Sequence, residues 1–341
     1  MVTITSPPGR DLRTLRPLLL LGALVALLVV ALLSIAFGSN QLSLGAVLHA
    51  LFAYEGTFED VVVRDTRVPR TLLGIAAGMA LGLAGALMQS ITRNPIADPG
   101  FLGINHGAAV AIVFALAAFG VTEPAGLIWF AFAGALVATA LVYAIGGGRG
   151  ASSPMRLALA GVAVQASFVG INQAMQLINT HSLDKMRFWL VGSLANREVD
   201  ALTVLLPFFL AGVVLALLLG RSLNALALGE DTAHGLGTNP LLVRSAGLLA
   251  VGLLCGAATA ACGPIAFVGL MVPQLVRGLA GQDERWVLGL SVLVAPVLLL
   301  GCDVLGRVLG SPGELQVGIV TDVLGGIVLV WLVRRLRAVG R

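Results

Sequence analysis

Long, uninterrupted apolar stretches constrain this chain more than any other feature. A helix rises about 1.5 Å per residue, so roughly 20 mostly apolar residues match the hydrocarbon core of a bilayer. About ten such stretches can be marked along the sequence, at 17–37, 71–90, 102–119, 125–145, 155–178, 201–220, 241–261, a shorter 265–279, 286–301 and 317–333. The expected fold is therefore an all-α polytopic membrane protein. Residues 1–16 form a leading tail, 17–333 the transmembrane domain and 334–341 a trailing tail. An even number of spans puts both tails on one side.

Composition closes off the alternatives. With 58% hydrophobic and 11% charged residues, and a mean hydropathy of +0.98, a soluble domain of this length could not cover its own surface. Little chain remains for a soluble catalytic domain. The 43 glycines and 6% aromatics suit helices packed backbone to backbone in lipid, as in Gly74-x-x-x-Gly78-x-x-x-Gly82 with Gly85 close behind. Cys255, Cys262 and Cys302 each lie in an apolar stretch without a CxxC or Cys/His cluster, so neither a disulfide frame nor a zinc site is indicated. Arg10, Arg13 and Arg16 precede a first stretch longer than a signal-peptide core, which is read as a retained span. The net charge of +4 calls for no nucleic acid, since membrane proteins keep arginines in their cytoplasmic loops.

Those arginines choose the orientation. With the N-terminus inside, basic residues favour the inner segments by about two to one. Both termini are thus expected in the cytoplasm, although Arg64, Arg67 and Arg70 cluster on the outer side. The longest polar intervals are 38–70 outside and 221–240 inside. The inner one carries Leu228-Gly229-Glu230-Asp231 and Leu236-Gly237-Thr238-Asn239-Pro240, which reads as a short amphipathic helix bounded by Gly and Pro. It is longer than a turn requires and offers a partner a handle.

Catalytic patterns are missing. No G-x-x-x-x-G-K-[ST] loop exists, because Gly146-Gly147-Gly148-Arg149 lacks the lysine, so ATP hydrolysis by the P-loop route needs another protein. His49, His106, His181 and His234 stand singly, and no H-E-x-x-H, G-x-S-x-G or intramembrane carboxylate pair is found. A proton-coupled carrier should show a chain of ionisable groups within its spans. Here Asp303 and Arg307 sit four apart at a span end, where they can pair, and Asp322 lies in the last span. That argues for an external energy source. Arg67 and Arg70 flank Pro69 and read either as interfacial anchors or as forks for an external protein's carboxylates. The run Arg93-Asn94-Pro95-Ile96-Ala97-Asp98-Pro99-Gly100-Phe101-Leu102-Gly103 breaks helix regularity and must be buried in protein or line a cavity.

The ordered set of motifs carries a resemblance. Arg67-Val68-Pro69-Arg70-Thr71, Gly85-Ala86-Leu87-Met88-Gln89, Asn94-Pro95 to Gly103, Leu159-Ala160-Gly161-Val162 and Phe188-Trp189-x-x-Gly192-Ser193 come first. Leu228-Gly229-Glu230, Gly263-Pro264-Ile265-Ala266-Phe267-Val268-Gly269-Leu270, Asp303 to Arg307, and Glu314-Leu315-x-Val317-Gly318 follow. From Arg67 onward the chain resembles the FecCD/BtuC-like permeases, the subunits of ATP-driven importers of ferric siderophores, haem and cobalamin.

The resemblance implies a type II ABC importer permease fold of ten helices, paired with a second permease subunit around a central path. It implies an ATP-binding cassette ATPase dimer using ATP and Mg, no cofactor bound by this chain, an extracytoplasmic siderophore-binding protein, and a bacterial inner membrane. Arg67, Arg70 and Arg307 would meet the binding protein. Leu228, Gly229, Glu230, Leu236 and Gly237 would couple to the ATPase, and Ser152 and Ser153 would belong to the cytoplasmic gate. Asn105, His106, Gln165, Asn172 and Gln173 either line a path or make interhelical hydrogen bonds of about 0.6 kcal/mol each. The stretch from Met186 to Leu194 and that from Ala295 to Leu300 resemble ferric-catecholate permeases, which implies a siderophore cargo and favours a heterodimer over a homodimer. The sequence departs from the family's habit at Pro273-Gln274, where Pro-His is common, at His106, and at Gly325-Gly326. Cobalamin or haem as cargo, an ion-coupled carrier, and a membrane enzyme acting on lipid-linked substrates are the competing readings.

Overall fold

The structure is a computed structural model and describes residues 12–38, 42–146, 154–178, 189–195 and 199–339. Every regular element among them is helical. Helix α1 (Leu12–Ala36) is followed by the short α2 (Leu44–Phe52) and α3 (Phe58–Val61), and α3 runs through a π-helical turn, Val62–Arg67, into α4 (Val68–Thr92). A 3₁₀ turn, Pro99–Leu102, precedes α5 (Ile104–Ala118), α6 (Pro124–Gly146), α7 (Pro154–Ile178) and α8 (Val199–Leu218). The short α9 (Gly220–Ala227) and α10 (Glu230–Gly235) lead to α11 (Pro240–Cys262), α12 (Val268–Ala280), α13 (Glu284–Leu309) and α14 (Val317–Val339).

Among the described residues, seven helices are long and apolar enough to cross a membrane, and Ile104–Ala118, Val268–Ala280 and Val317–Val330 are shorter apolar helices. The helices are thus uneven in length, as the shorter 265–279 stretch anticipates for α12. The reason is visible at α5 and α12, each preceded by irregular backbone that already runs inside the bundle, with Ala97, Leu102 and Ile265 buried. Such backbone is tolerated at that depth only when protein surrounds it.

Two boundaries differ from expectation for electrostatic reasons. The interval 38–70 reads as polar loop, yet it holds α2, α3 and the π turn. Ser43 caps α2 by accepting from the Ala46 N–H, and Thr57 with Asp60 forms a capping box that opens α3. The stretch 286–301 continues as helix to Leu309, because the charges at Asp303 and Arg307 that end the apolar run are paired inside the protein.

Helix α4 is the axis of the fold, buried along nearly its whole length against α13, α11 and α12. Its glycine ladder explains the approach. A Cβ at Gly78 would lie 2.6 Å from the Pro296 Cα of α13, Gly74 faces Leu300, Gly82 faces Ala295, and Gly85 meets the backbone of Gly269 on α12. Substituting Gly78→Val forces backbone against backbone, where overpacking costs about 1–3 kcal/mol or more. The expected result is loss of the monodisperse peak in fluorescence-detected size exclusion. A Val variant with wild-type yield and melting temperature would show that α4 and α13 do not pack through this face.

Separated motifs meet at one junction. The Ser193 N–H donates to the Cys262 carbonyl at 2.8 Å, and the Gly318 N–H donates to the Gly192 carbonyl at 3.1 Å. Gly192, at φ +70, lies under the Pro264 carbonyl, in a conformation and a space that exclude a side chain. The Trp189–Ser193 turn, the end of α11 and the start of α14 are therefore one packed unit.

Candidate functional site

Charged and polar groups gather at the two ends of the bundle. At one end, the last carbonyls of α1 have no intrahelical donors. Arg67, 5% exposed, donates from NH1 to the Ile35 and Ala36 carbonyls, both at 2.7 Å. Arg307, 2% exposed, donates to the Ser34 carbonyl at 2.8 Å, the Phe37 carbonyl at 2.6 Å and the Ser34 hydroxyl at 3.0 Å. Two guanidiniums thus cap the negative end of the α1 dipole. Arg70 grips Asp303 with two bonds of 2.8 and 3.1 Å and reaches Glu314 at 2.8 Å, while Asp303 also pairs with Arg307 at 2.9 Å.

The sequence left the outer arginines as interfacial anchors or as forks for an external protein, and the structure gives them partners within the chain. Arg67, Arg70 and Arg307 are all buried and internally bonded. The Asp303–Arg307 pairing expected from their spacing is present, but Arg70, 233 positions from Asp303 and 244 from Glu314, bonds to both, which spacing cannot reveal. The exposed member of the cluster is Arg64, which caps α2 through the Ala50 and Leu51 carbonyls at 2.8 and 3.0 Å and lies 4.6 Å over the Tyr54 ring. The π turn separates it from buried Arg67. Beside the network opens a cavity of about 870 Å³ lined by Arg70, Glu314, Ser193, Trp129 and Trp189 among apolar side chains.

The opposite end carries the 221–240 segment. It contains the expected short helix, α10, preceded by α9. Gly229 opens α10 at φ +114, and Gly237 closes it at φ +76, with the Gly237 N–H donating to His234 and the Thr238 N–H to Ala233. That is a Schellman cap, which needs the left-handed residue glycine supplies. Glu230 pairs with Arg244 of α11 at 2.5 Å, and Arg93 donates to the Leu226 carbonyl at 2.6 Å. The segment is held, yet Leu228 and Leu236 on either side of α10 are 65% and 62% exposed. Nearby, burial raises the Asp283 carboxyl, but hydrogen bonds from Asn224 and Arg285, together with the Arg285 charge, bring it net below its ordinary value.

The remaining candidates divide. Asn105 accepts from the Thr259 hydroxyl at 2.9 Å and so joins α5 to α11 as an interhelical bond. His106 is half-buried on the same helix, and Gln165 is half-buried on α7 beside Gly103. Farther along α7, Gln173 is exposed, and the half-buried Asn172 has a side-chain oxygen that accepts no hydrogen bond. Ser152, Ser153 and Phe188 lie outside the described residues. Residues that the sequence reading did not single out are Ser34, Asn224, Arg277 and Glu284, and it named Gln89 only as the end of a motif. Arg277 and Glu284 stand as opposite charges on either side of the short turn between two apolar stretches, a signal that could have found them, but nothing local marks the others.

A bundle of apolar helices, closed at one end by buried ion pairs and presenting at the other a held helix flanked by exposed leucines, is the architecture of a membrane-embedded transport subunit. Comparison gives the particular family. The FecCD transport family matches residues 26–335, and the chain belongs to it. It is 48% identical over 316 residues to the ferric enterobactin transport system permease protein FepD of Escherichia coli (strain K12), covering 92% of this chain and 94% of that protein. It is 35% identical over 331 residues to the hemin transport system permease protein HmuU of Yersinia pestis, covering 94% and 97%. A solved structure described as an inward-facing conformation of a metal-chelate type ABC transporter superposes with a TM-score of 0.81 at 27% identity, covering 94% of this chain and 99% of that one. These relatives are transport permeases, not enzymes.

Proposed function

We propose that this chain is the permease subunit of an ATP-driven importer that carries a ferric siderophore, of catecholate type, from an extracytoplasmic binding protein into the cytoplasm of a bacterium. The observation that carries the reading is near-half identity, over almost the full length of both chains, to a ferric enterobactin permease. In this reading the three shorter helices lie in the bilayer with the seven longer ones, giving ten membrane helices, and residues 17–333 form the transmembrane domain. The end bearing α9, α10 and Arg93 faces the cytoplasm with both termini, in accord with the arginine bias.

Leu228, Gly229, Glu230, Leu236 and Gly237 present α10 to the ATPase dimer, which supplies ATP-Mg chemistry that this chain lacks residues to perform. The binding protein docks at the opposite end. Arg64 and the Arg70–Glu314 rim offer it charge, while Arg67 and Arg307 hold the α1 terminus that shapes that rim. A docking role for Arg67, Arg70 and Arg307 themselves requires a partner carboxylate to exchange with their internal acceptors.

A second permease subunit covers α7 and α14. Gln173 on α7 and Asp322 on α14 face outward from this subunit at membrane depth, where lipid would leave them unsolvated. A facing subunit and a water-lined path between the two would solvate them, with Gln165, Asn172 and Gln173 on the path side. A different second subunit is favoured over an identical one by the likeness to ferric-catecholate permeases.

Haem is the second reading for cargo, favoured by the 35% identity to a hemin permease. The test is uptake into proteoliposomes holding the permease, its ATPase and its binding protein. Ferric-catecholate uptake dependent on ATP and on the binding protein is expected. Uptake of haem or cobalamin instead replaces the cargo, and ATP-independent uptake driven by an ion gradient overturns the importer reading.

A further inference from the structure

A continuous chain of hydrogen bonds and an ion pair runs from the α9–α10 segment to the irregular 93–103 connection, and its members lie on five separate parts of the sequence. It begins at Asn224 of α9, whose amide donates to Asp283 at 2.7 Å and whose oxygen accepts from the Glu284 N–H at 2.8 Å. The Glu284 carboxylate, buried at the start of α13, pairs with Arg277 of α12 at 3.1 Å. Arg277 donates in turn to the Ser90 hydroxyl at 3.0 Å and to the side-chain oxygen of Gln89 on α4. Gln274, one turn back on α12, donates to that same Gln89 oxygen at 3.0 Å and to the Pro95 carbonyl at 2.7 Å.

Donor and acceptor rules fix the direction of every amide. Arg277 can only donate, so the Gln89 oxygen must face it, which turns the Gln89 NH₂ toward the Gly269 and Leu270 carbonyls, where it donates to both at 3.2 Å. With that oxygen taken as acceptor and the Pro95 carbonyl also an acceptor, Gln274 must present its NH₂ to both. All four hydrogen-bonding positions of Gln89 are filled. A network so fully satisfied has one arrangement and resists bending at each joint. At its far end the 93–103 connection packs on α7, where Ala97 and Leu102 share a small cavity with Leu157 and Val162.

We propose that Gln274 and Arg277 are positioning residues that transmit displacement of the α9–α10 segment, through Glu284 and Gln89, to the 93–103 connection and so to the α7 face. The proposal rests on the importer reading for the origin of that displacement, but not for the existence of the linkage. Gln274 is the joint to test, because among the described residues it ties the Pro95 carbonyl to this chain of contacts, while the direct bond from Arg93 to the Leu226 carbonyl of α9 is present in every variant. Gln274→Leu removes both donations, while Gln274→His keeps a ring N–H for the Pro95 carbonyl.

Two measurements separate the linkage from the importer reading. In the purified full-length permease alone, spin labels on Ile96→Cys and Asp231→Cys, both exposed positions, report the distance between the connection and α10 by pulsed electron paramagnetic resonance. A narrow distribution is expected, broadened by Gln274→Leu and kept narrow by Gln274→His. In proteoliposomes with ATPase and binding protein, Gln274→Leu is expected to keep ATP hydrolysis within about twofold while uptake per ATP falls about tenfold, and Gln274→His to restore it. Equal distributions and equal uptake per ATP in wild type and Gln274→Leu overturn the linkage. So does loss of hydrolysis and uptake together, with a lowered melting temperature in both variants, since that marks a merely structural residue. If wild type shows no ATP-dependent uptake, the importer reading fails while the distance measurement still decides the linkage.

Discussion

Asp303→Ala is expected to lower sharply both the melting temperature and the yield of folded protein. Its carboxylate, fully buried, is shared by Arg70 and Arg307, themselves 9% and 2% exposed as side chains. Removing it strands two buried cations. Breaking a buried pair in this way costs about 3–5 kcal/mol, against a typical total margin of about 5–15 kcal/mol. Arg307 keeps the α1 carbonyls and Arg70 keeps Glu314, so the loss is partly absorbed. Asp303→Asn retains one acceptor and should fall between. Thermal unfolding in detergent, followed by size-exclusion chromatography, reads the effect. Wild-type yield and melting temperature for Asp303→Ala would mean that the arginine network contributes no stability.

Leu228→Asp combined with Leu236→Asp is expected to leave the permease folded and to abolish its association with the ATPase. Both side chains already stand in water, so the free protein loses little. Burial of two leucines at a partner surface is worth about 3–6 kcal/mol by apolar-area bookkeeping, or about 10²–10⁴ in affinity. Co-purification and binding isotherms with the ATPase test this, with the melting temperature of the permease as the control. Undiminished binding would place the ATPase contact elsewhere on the inner face.

The two predictions differ in how visible their residues were. The 221–240 segment was legible because its signals are local: glycines at positive φ, a proline that opens α11, and leucines too apolar for a bare loop. Asp303 and Arg307 were legible as a pair because they sit four apart on one helix. Arg70 was legible as a charge, but not as the partner of Asp303, because that contact depends on α4 and α13 approaching through Gly78 and Pro296. Arg67 was legible as an anchor or a fork, but its carbonyl partners on α1 were hidden for the same reason. A lone arginine near a span end looks the same in sequence whether it reaches for solvent or for the carbonyls of another helix.

The linkage at Gln274 was the least legible of all. Sequence shows an amide where a histidine is common, and no spacing rule joins it to Gln89 or to Pro95. Yet the glycines at 85 and 269 were visible, and they bring α4 and α12 close enough for those amides to meet.

By itself, the sequence determined the solvent. Apolar runs of helical length must be helices in a bilayer, because hydrocarbon leaves the backbone no other donors or acceptors. It also determined where the chain turns and, through an ordered series of motifs, the family. Tertiary structure alone decided which charges are buried and which amides face one another. Those contacts join residues far apart in sequence, and their energies depend on burial and on distances of a few ångströms that only the packed helices define.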